Sequence, residues 1–192
     1  MKNKKTLIIL ILAFIILLGG AYMLYSQLGE SQTPDQLAVQ QQETDTAQTD
    51  AGENQKVKAP DFTVYDADGN EVRLYDFIGK PIVLNFWASW CGPCQMEMPD
   101  FHEKYLELGE EINFLMVNAT AGRETLESAK AFIEENGYTF PVFFDTKSDA
   151  GITYGANSLP TTFFIDAEGN AIAQAMGAID GETLQRGIDM IK

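Results

Sequence analysis

IVLNFWASWCGPC, residues 82–94, is the stretch on which the reading of this chain turns. Its first half, Ile82 to Trp87, is apolar except for Asn85 and has the length and composition of a strand buried on both faces. Its second half sets Cys91 and Cys94 three residues apart, at the start of a helical stretch expected to run from about Cys91 to Gly109 with a kink at Pro99. Residues at i and i+3 on a helix have Cβ atoms about 5 to 6 Å apart. That is near enough for a small local adjustment to close a disulfide. Cys91 would stand at the helix N-terminus, where unpaired backbone N–H groups and the helix dipole favour negative charge, so its thiolate is stabilised and its pKa lowered. Cys94, one turn inside, is more shielded and suits the resolving thiol. Gly92 leaves room for a partner chain to approach, and Pro93 fits a first turn where its missing N–H costs no helical bond.

To either side of this stretch the pattern is equally readable. Phe62 to Tyr65 and Glu71 to Leu74 read as short strands joined across Asp66-Ala67-Asp68-Gly69-Asn70, a hairpin signal. Ile112 to Asn118 is a second buried strand. Leu126 to Asn136 reads as a helix ending before Gly137, and Val142 to Asp145 as a short extended piece. Thr161 to Asp166 and Ala171 to Met176 flank Ala167-Glu168-Gly169-Asn170 as a second hairpin, and Gly181 to Ile191 closes the chain as a helix. Continuous apolar strands in a βαβ section call for helices on both faces, so the fold class is α/β with a central mixed sheet.

The chain has 192 residues, 45% hydrophobic and 21% charged, which suits one ordinary domain and excludes collagen, coiled coil and a wholly disordered chain. A net charge of -15 opposes binding to a phosphate backbone, so nucleic acid is not an expected partner. Half of a zinc site at Cys91 and Cys94 would need two further ligands, and the chain has no other Cys and one His, His102. A purely structural disulfide is a weak alternative, because closing so short a loop constrains the unfolded chain little. Redox chemistry is the remaining reading, and it requires no cofactor and no metal. His102 is expected on the helix surface. Met96, Met98 and His102 can be assembled into a copper site only on paper.

Residues 1–25 form the first of three expected parts. Met1 to Lys5 carry three Lys, and Thr6 to Tyr25 are 20 uncharged residues, which at about 1.5 Å per residue span the roughly 30 Å of a bilayer core. This reads as a retained signal anchor with its N-terminus cytoplasmic and everything after Tyr25 outside. The rival is a cleaved signal peptide processed near Gly19 and Ala21. Residues 26–56, rich in Gln, Thr, Asp and Glu, read as a disordered acidic linker. Residues 57–192 hold nine basic and 22 acidic side chains and all of the chemistry.

NFWASWCGPC, followed by Glu97-Met98-Pro99 and later by Leu159-Pro160-Thr161-Thr162-Phe163, resembles the thioredoxin-like family, in its membrane-anchored extracytoplasmic branch of TlpA/ResA-like thiol-disulfide oxidoreductases. The resemblance covers roughly residues 57–192. It extends to Ala59-Pro60-Asp61-Phe62 with its hairpin, an N-terminal extension beyond a minimal thioredoxin. It implies that the Leu159-Pro160 bond is cis and lies beside the cysteine pair, where Leu159 could pair with an extended substrate segment. It implies that Glu97 is a partly buried acid near the thiols, adjusting their pKa and handling protons; the bland alternative is a solvated helix-surface Glu. Asn85 departs from thioredoxin, which has a buried Asp at the equivalent position, and so directs the proton path to Glu97. Trp90 is expected to cover the disulfide as a flat apolar surface, and Trp87 to be core.

The expected activity is reduction of disulfides in envelope or secreted proteins, such as apocytochrome c cysteines, by attack of Cys91 and resolution by Cys94. Catalysis there needs electrons from across the membrane, and the resemblance suggests a CcdA- or DsbD-like donor in a bacterial envelope. Three alternatives stand beside it. One is a disulfide-forming oxidase, against which Gly92-Pro93 argues weakly. Another is a peroxidase, suggested by the Ala-Pro-Asp-Phe opening but lacking the Pro and Thr expected where Ala88 and Ser89 stand. The third is a non-catalytic adaptor using the same groove.

Overall fold

The chain's computed structural model describes residues 37–39 and 56–192. The expected membrane span and most of the expected linker lie outside these residues. Among the described residues no helix is long and apolar enough to cross a membrane.

Among the described residues nine strands make one mixed sheet: β1 (Leu37–Val39), β2 (Val57–Lys58), β3 (Thr63–Tyr65), β4 (Glu71–Arg73), β5 (Ile82–Trp87), β6 (Asn113–Asn118), β7 (Val142–Phe144), β8 (Thr161–Ile165) and β9 (Asn170–Met176). Their order across the sheet is β1-β9-β8-β5-β6-β7-β3-β4, with β2 also paired to β9. The helices are α1 (Gly92–Leu108), α2 (Leu126–Asn136), α3 (Asp149–Thr153) and α4 (Gly181–Asp189). A single 3-10 turn, Leu74–Phe77, follows β4.

β5 lies parallel to β6 and antiparallel to β8, and all six of its residues are buried. Alternation along it divides the core in two. Val83 and Trp87 join Met98 and Phe101 of α1, Ala129 of α2 and Leu184 and Ile188 of α4 in one cluster. Ile82, Leu84 and Phe86 point the other way, into a cluster closed by Phe62, Val64, Leu74, Ala150 of α3 and Tyr154. β5-α1-β6 and β6-α2-β7 are successive parallel crossovers advancing in one direction across the sheet, which puts α1 and α2 on the same face.

The thioredoxin-like expectation of a mixed sheet between helices holds, and the N-terminal hairpin β3–β4 extends the sheet at its β7 edge. Its turn is closed by Asp66, whose Oδ1 accepts from the backbone N–H groups of Asp68 and Asn70, while Gly69 takes φ +86°. Three features differ from the sequence reading. Leu37–Val39, inside the expected linker, adds to β9 with Leu37 opposite Ala175, and Leu37 packs against the larger cluster. An open strand edge recruits backbone whatever the surrounding composition, so polar neighbours masked this short apolar run. The helix α3 was not anticipated, its five residues being too short for a periodic pattern. His102 is half-buried rather than free on the surface: its Nε2 lies 3.0 Å from Thr139 Oγ1 and its ring packs edge-on against Tyr138 and Phe140.

Candidate active site

β5 ends at Trp87, and the next four residues turn the chain into α1. The Cys91 N–H donates to Ala88 O at 3.1 Å, and Cys91 becomes the N-cap of α1 in extended conformation. Cys91 and Cys94 are joined by a disulfide with Cα atoms 5.2 Å apart. The Cys94 N–H lies 3.2 Å from Cys91 Sγ and donates to it. The same donor, added to the helix dipole, would stabilise a thiolate at Cys91 once the disulfide is reduced. Both cysteines are buried in the disulfide form, Cys91 keeping 4% of its surface and Cys94 none. Gly92 and Pro93 are exposed, and a Cβ on Gly92 would meet nothing within 4 Å, so the ground in front of the pair is open.

Beneath the pair is a buried carboxyl. Glu97, one turn beyond Cys94 on the same face of α1, is 1% exposed, which excludes the solvated-helix alternative. Its Oε1 accepts from Asn85 Nδ2 at 2.8 Å and its Oε2 from the Ile179 N–H at 3.0 Å. Asn85 Nδ2 also donates to Thr162 Oγ1 at 3.0 Å. Burial raises the Glu97 pKa to about 7, outweighing the two hydrogen bonds that favour the ionised form, and Asp100 adds repulsion. A carboxyl poised near neutrality can both accept and return a proton.

The Leu159-Pro160 bond is cis. Thr161 opens β8 opposite Phe86, so Pro160 stands at the end of the sheet from which the cysteine turn departs. Pro160 O accepts from the Gly177 N–H at 2.9 Å, and half-buried Leu159 packs against the cluster that contains both cysteines. Trp90 is 45% exposed, with the Arg123 guanidinium 3.8 Å from its ring centroid. Trp87 is fully buried against Phe132. Met96 is exposed and Met98 buried, so the paper copper site does not assemble.

Thr162, the Ile179 backbone, Arg123 and Glu124 belong to this neighbourhood without having been singled out from sequence. Thr162 had a signal, since it adjoins the Leu-Pro-Thr run. The others come from loops whose positions only the folded sheet determines.

The sequence profile of the AhpC/TSA family matches residues 56–174. The chain belongs to the AhpC/TSA family. It is 37% identical over 135 residues to the thiol-disulfide oxidoreductase ResA of Geobacillus thermodenitrificans, covering 70% of this chain and 76% of that one. The ResA of Bacillus anthracis is 40% identical over 131 residues, covering 67% and 73%. Among solved structures, the pneumococcal exposed lipoprotein thioredoxin Etrx1 of Streptococcus pneumoniae aligns with a TM-score of 0.60 at 32% identity, covering 68% of this chain and 98% of its own. StoA of Bacillus subtilis aligns at 0.59 and 25% identity, covering 67% and 96%. As a thioredoxin-like member of AhpC/TSA with the Cys91–Cys94 pair in place, the chain is a thiol-disulfide oxidoreductase.

Proposed function

We propose that the protein works outside the cytoplasm as a reductant of disulfides in envelope or secreted proteins, apocytochrome c cysteines among them. The observation that carries this reading is the pair at the head of α1: Cys91 at the helix N-cap, beside open ground at Gly92 and faced by the Cys94 N–H, and Cys94 without exposure, one helical turn before the buried Glu97. In the reduced enzyme the Cys91 thiolate attacks one sulfur of the substrate disulfide. A mixed disulfide forms and the other substrate sulfur leaves as a thiolate. Glu97 takes the proton from Cys94, whose sulfur attacks Cys91 Sγ and frees the second substrate thiol. Two electrons have then passed to the substrate, leaving the disulfide seen here; Glu97 returns the Cys94 proton to one departing thiolate, and solvent protonates the other. Trp90, Gly92, Pro93, Leu159 and Pro160 form the surface on which the substrate chain rests.

Location is supported by the apolar run Thr6 to Tyr25 with its preceding Lys residues, read as a single-pass anchor, and by the likeness to a protein described as an exposed lipoprotein. Catalysis there requires a membrane electron donor of CcdA- or DsbD-like type to regenerate the dithiol. The test is the equilibrium reduction potential of the full-length protein against defined thiol-disulfide buffers. A reductant is expected near the thioredoxin end, about -230 to -270 mV, whereas about -120 mV would make the protein an oxidase.

A further inference from the structure

A second buried acid, Glu124, lies outside the proton path just described. It is 3% exposed and sits in the connection between β6 and α2. Its Oε2 accepts twice from one residue of the redox turn, from the Ser89 N–H at 2.9 Å and from Ser89 Oγ at 3.0 Å. Its Oε1 accepts from Ser128 Oγ at 3.0 Å. Buried carboxylate oxygens are ordinarily satisfied, and here every donor but one comes from the residue two positions before the attacking cysteine.

We propose that Glu124 is a positioning residue for disulfide exchange: by holding Ser89 it fixes the Trp90–Cys91 segment, and so the line along which the Cys91 sulfur meets an incoming disulfide. The turn from Ala88 to Cys91 uses the Ala88 carbonyl and the Cys91 N–H for its own closure, which leaves the Ser89 N–H without a partner inside the turn. Glu124 supplies one from the loop that follows the neighbouring strand β6. The neighbouring Arg123 lies over the Trp90 ring, so two consecutive residues of one loop grip two consecutive residues of the other. The far side of the grip is anchored as well. Thr125 caps α2 by accepting from the Ser128 N–H, and the Thr125 N–H donates to Ser128 Oγ, whose hydroxyl in turn donates to Glu124. The redox turn is thereby tied to the first turn of α2, an element that carries none of the reacting groups. Gln95 Nε2 donates to Ser89 O, completing the fixation of Ser89 through its nitrogen, hydroxyl and carbonyl.

The proposal rests on Cys91 as the attacking thiol, and the experiment separates the two. Reduced full-length protein is mixed with a small aromatic disulfide, and the second-order rate is followed against pH. The titration midpoint reports the Cys91 thiol, and the high-pH plateau reports how well its thiolate is placed. Glu124→Ala is expected to lower the plateau about 10- to 100-fold, the scale on which misplacement of about an ångström acts. Glu124→Gln is expected to restore most of that loss, because one amide oxygen can take both Ser89 bonds while the NH2 faces Ser128 Oγ. Ser89→Ala, which removes one of the two bonds, is expected to fall between the parent and Glu124→Ala, and it decides the matter if Glu124→Ala does not fold. A plateau within about twofold of the parent in Glu124→Ala or Ser89→Ala would overturn the proposal. So would a Glu124→Gln plateau as low as that of Glu124→Ala, which would make charge rather than placement the operative property. Full reactivity in Cys91→Ser would instead overturn the assignment of the attacking thiol.

Discussion

Replacing Glu97 by Gln should stabilise the folded protein increasingly as the pH rises. Burial lifts the Glu97 pKa from its ordinary value of 4.5 to about 7 in the folded state. Between those values the folded protein holds a proton that the unfolded chain releases. Stability therefore falls as the pH rises from about 4.5 to about 7, at roughly 1.4 kcal/mol per unit, and is level above. The whole window amounts to about 3 kcal/mol. The amide introduced by Glu97→Gln cannot ionise, so the variant escapes this loss; the hydrogen bonds that an amide makes less well with Asn85 and Ile179 shift both ends of the pH range alike. The assay is urea unfolding of full-length parent and Glu97→Gln, disulfide intact, followed by tryptophan fluorescence at pH 4.5 and 8.5. The stability difference, variant minus parent, should grow by about 3 kcal/mol from the lower to the higher pH. A difference that does not change with pH, or that shrinks, would refute the claim that Glu97 is held protonated by burial.

Three further outcomes follow from packing and capping. Phe101 is fully buried on the core face of the cysteine-bearing helix, and Phe101→Ala should cost about 3 to 5 kcal/mol, seen as a lowered thermal midpoint. A Cβ at Gly187 would overlap the Phe164 ring, so Gly187→Ala should destabilise by about 1 to 3 kcal/mol and loosen α4 from β8, checked by denaturant midpoint and by hydrogen exchange in α4. Asp180 caps α4 through a 2.9 Å bond from the Thr183 N–H, and Asp180→Ala should cost about 1 kcal/mol near neutral pH. That cost should diminish in acid, because the bonds from Thr183 hold the Asp180 carboxyl below its usual range and its stabilisation is lost as the carboxyl protonates.

Where one local pattern determined an element, the sequence was legible. Ile82–Trp87 is a strand over the expected residues because a run of that length, apolar but for Asn85, fits a doubly covered position, and Leu126–Asn136 is a helix with the expected ends because Gly137 closes it at φ +67°. Cys91 and Cys94 needed only their spacing. Glu97 needed more. Its burial depends on the Ile179 N–H, 82 residues away, which arrives only after β9 has crossed the sheet. Glu124 sits among polar residues and carries no periodic signal; the parallel register of β5 and β6 brings its loop to Ser89. His102 was misjudged because the aromatic residues that enclose it, Tyr138 and Phe140, belong to the connection after α2. Local chemistry was therefore readable, while the surroundings that set pKa and placement came from contacts distant in sequence.

Attack by Cys91 and resolution by Cys94 can be separated with Cys94→Ala in the full-length protein, reduced and mixed with a protein disulfide substrate, then digested and analysed by mass spectrometry. This order of events predicts a stable mixed disulfide at Cys91, and no corresponding adduct in Cys91→Ala, whose remaining thiol is buried. Equal trapping by the two variants, or release of reduced substrate by Cys94→Ala at the parent rate, would contradict it.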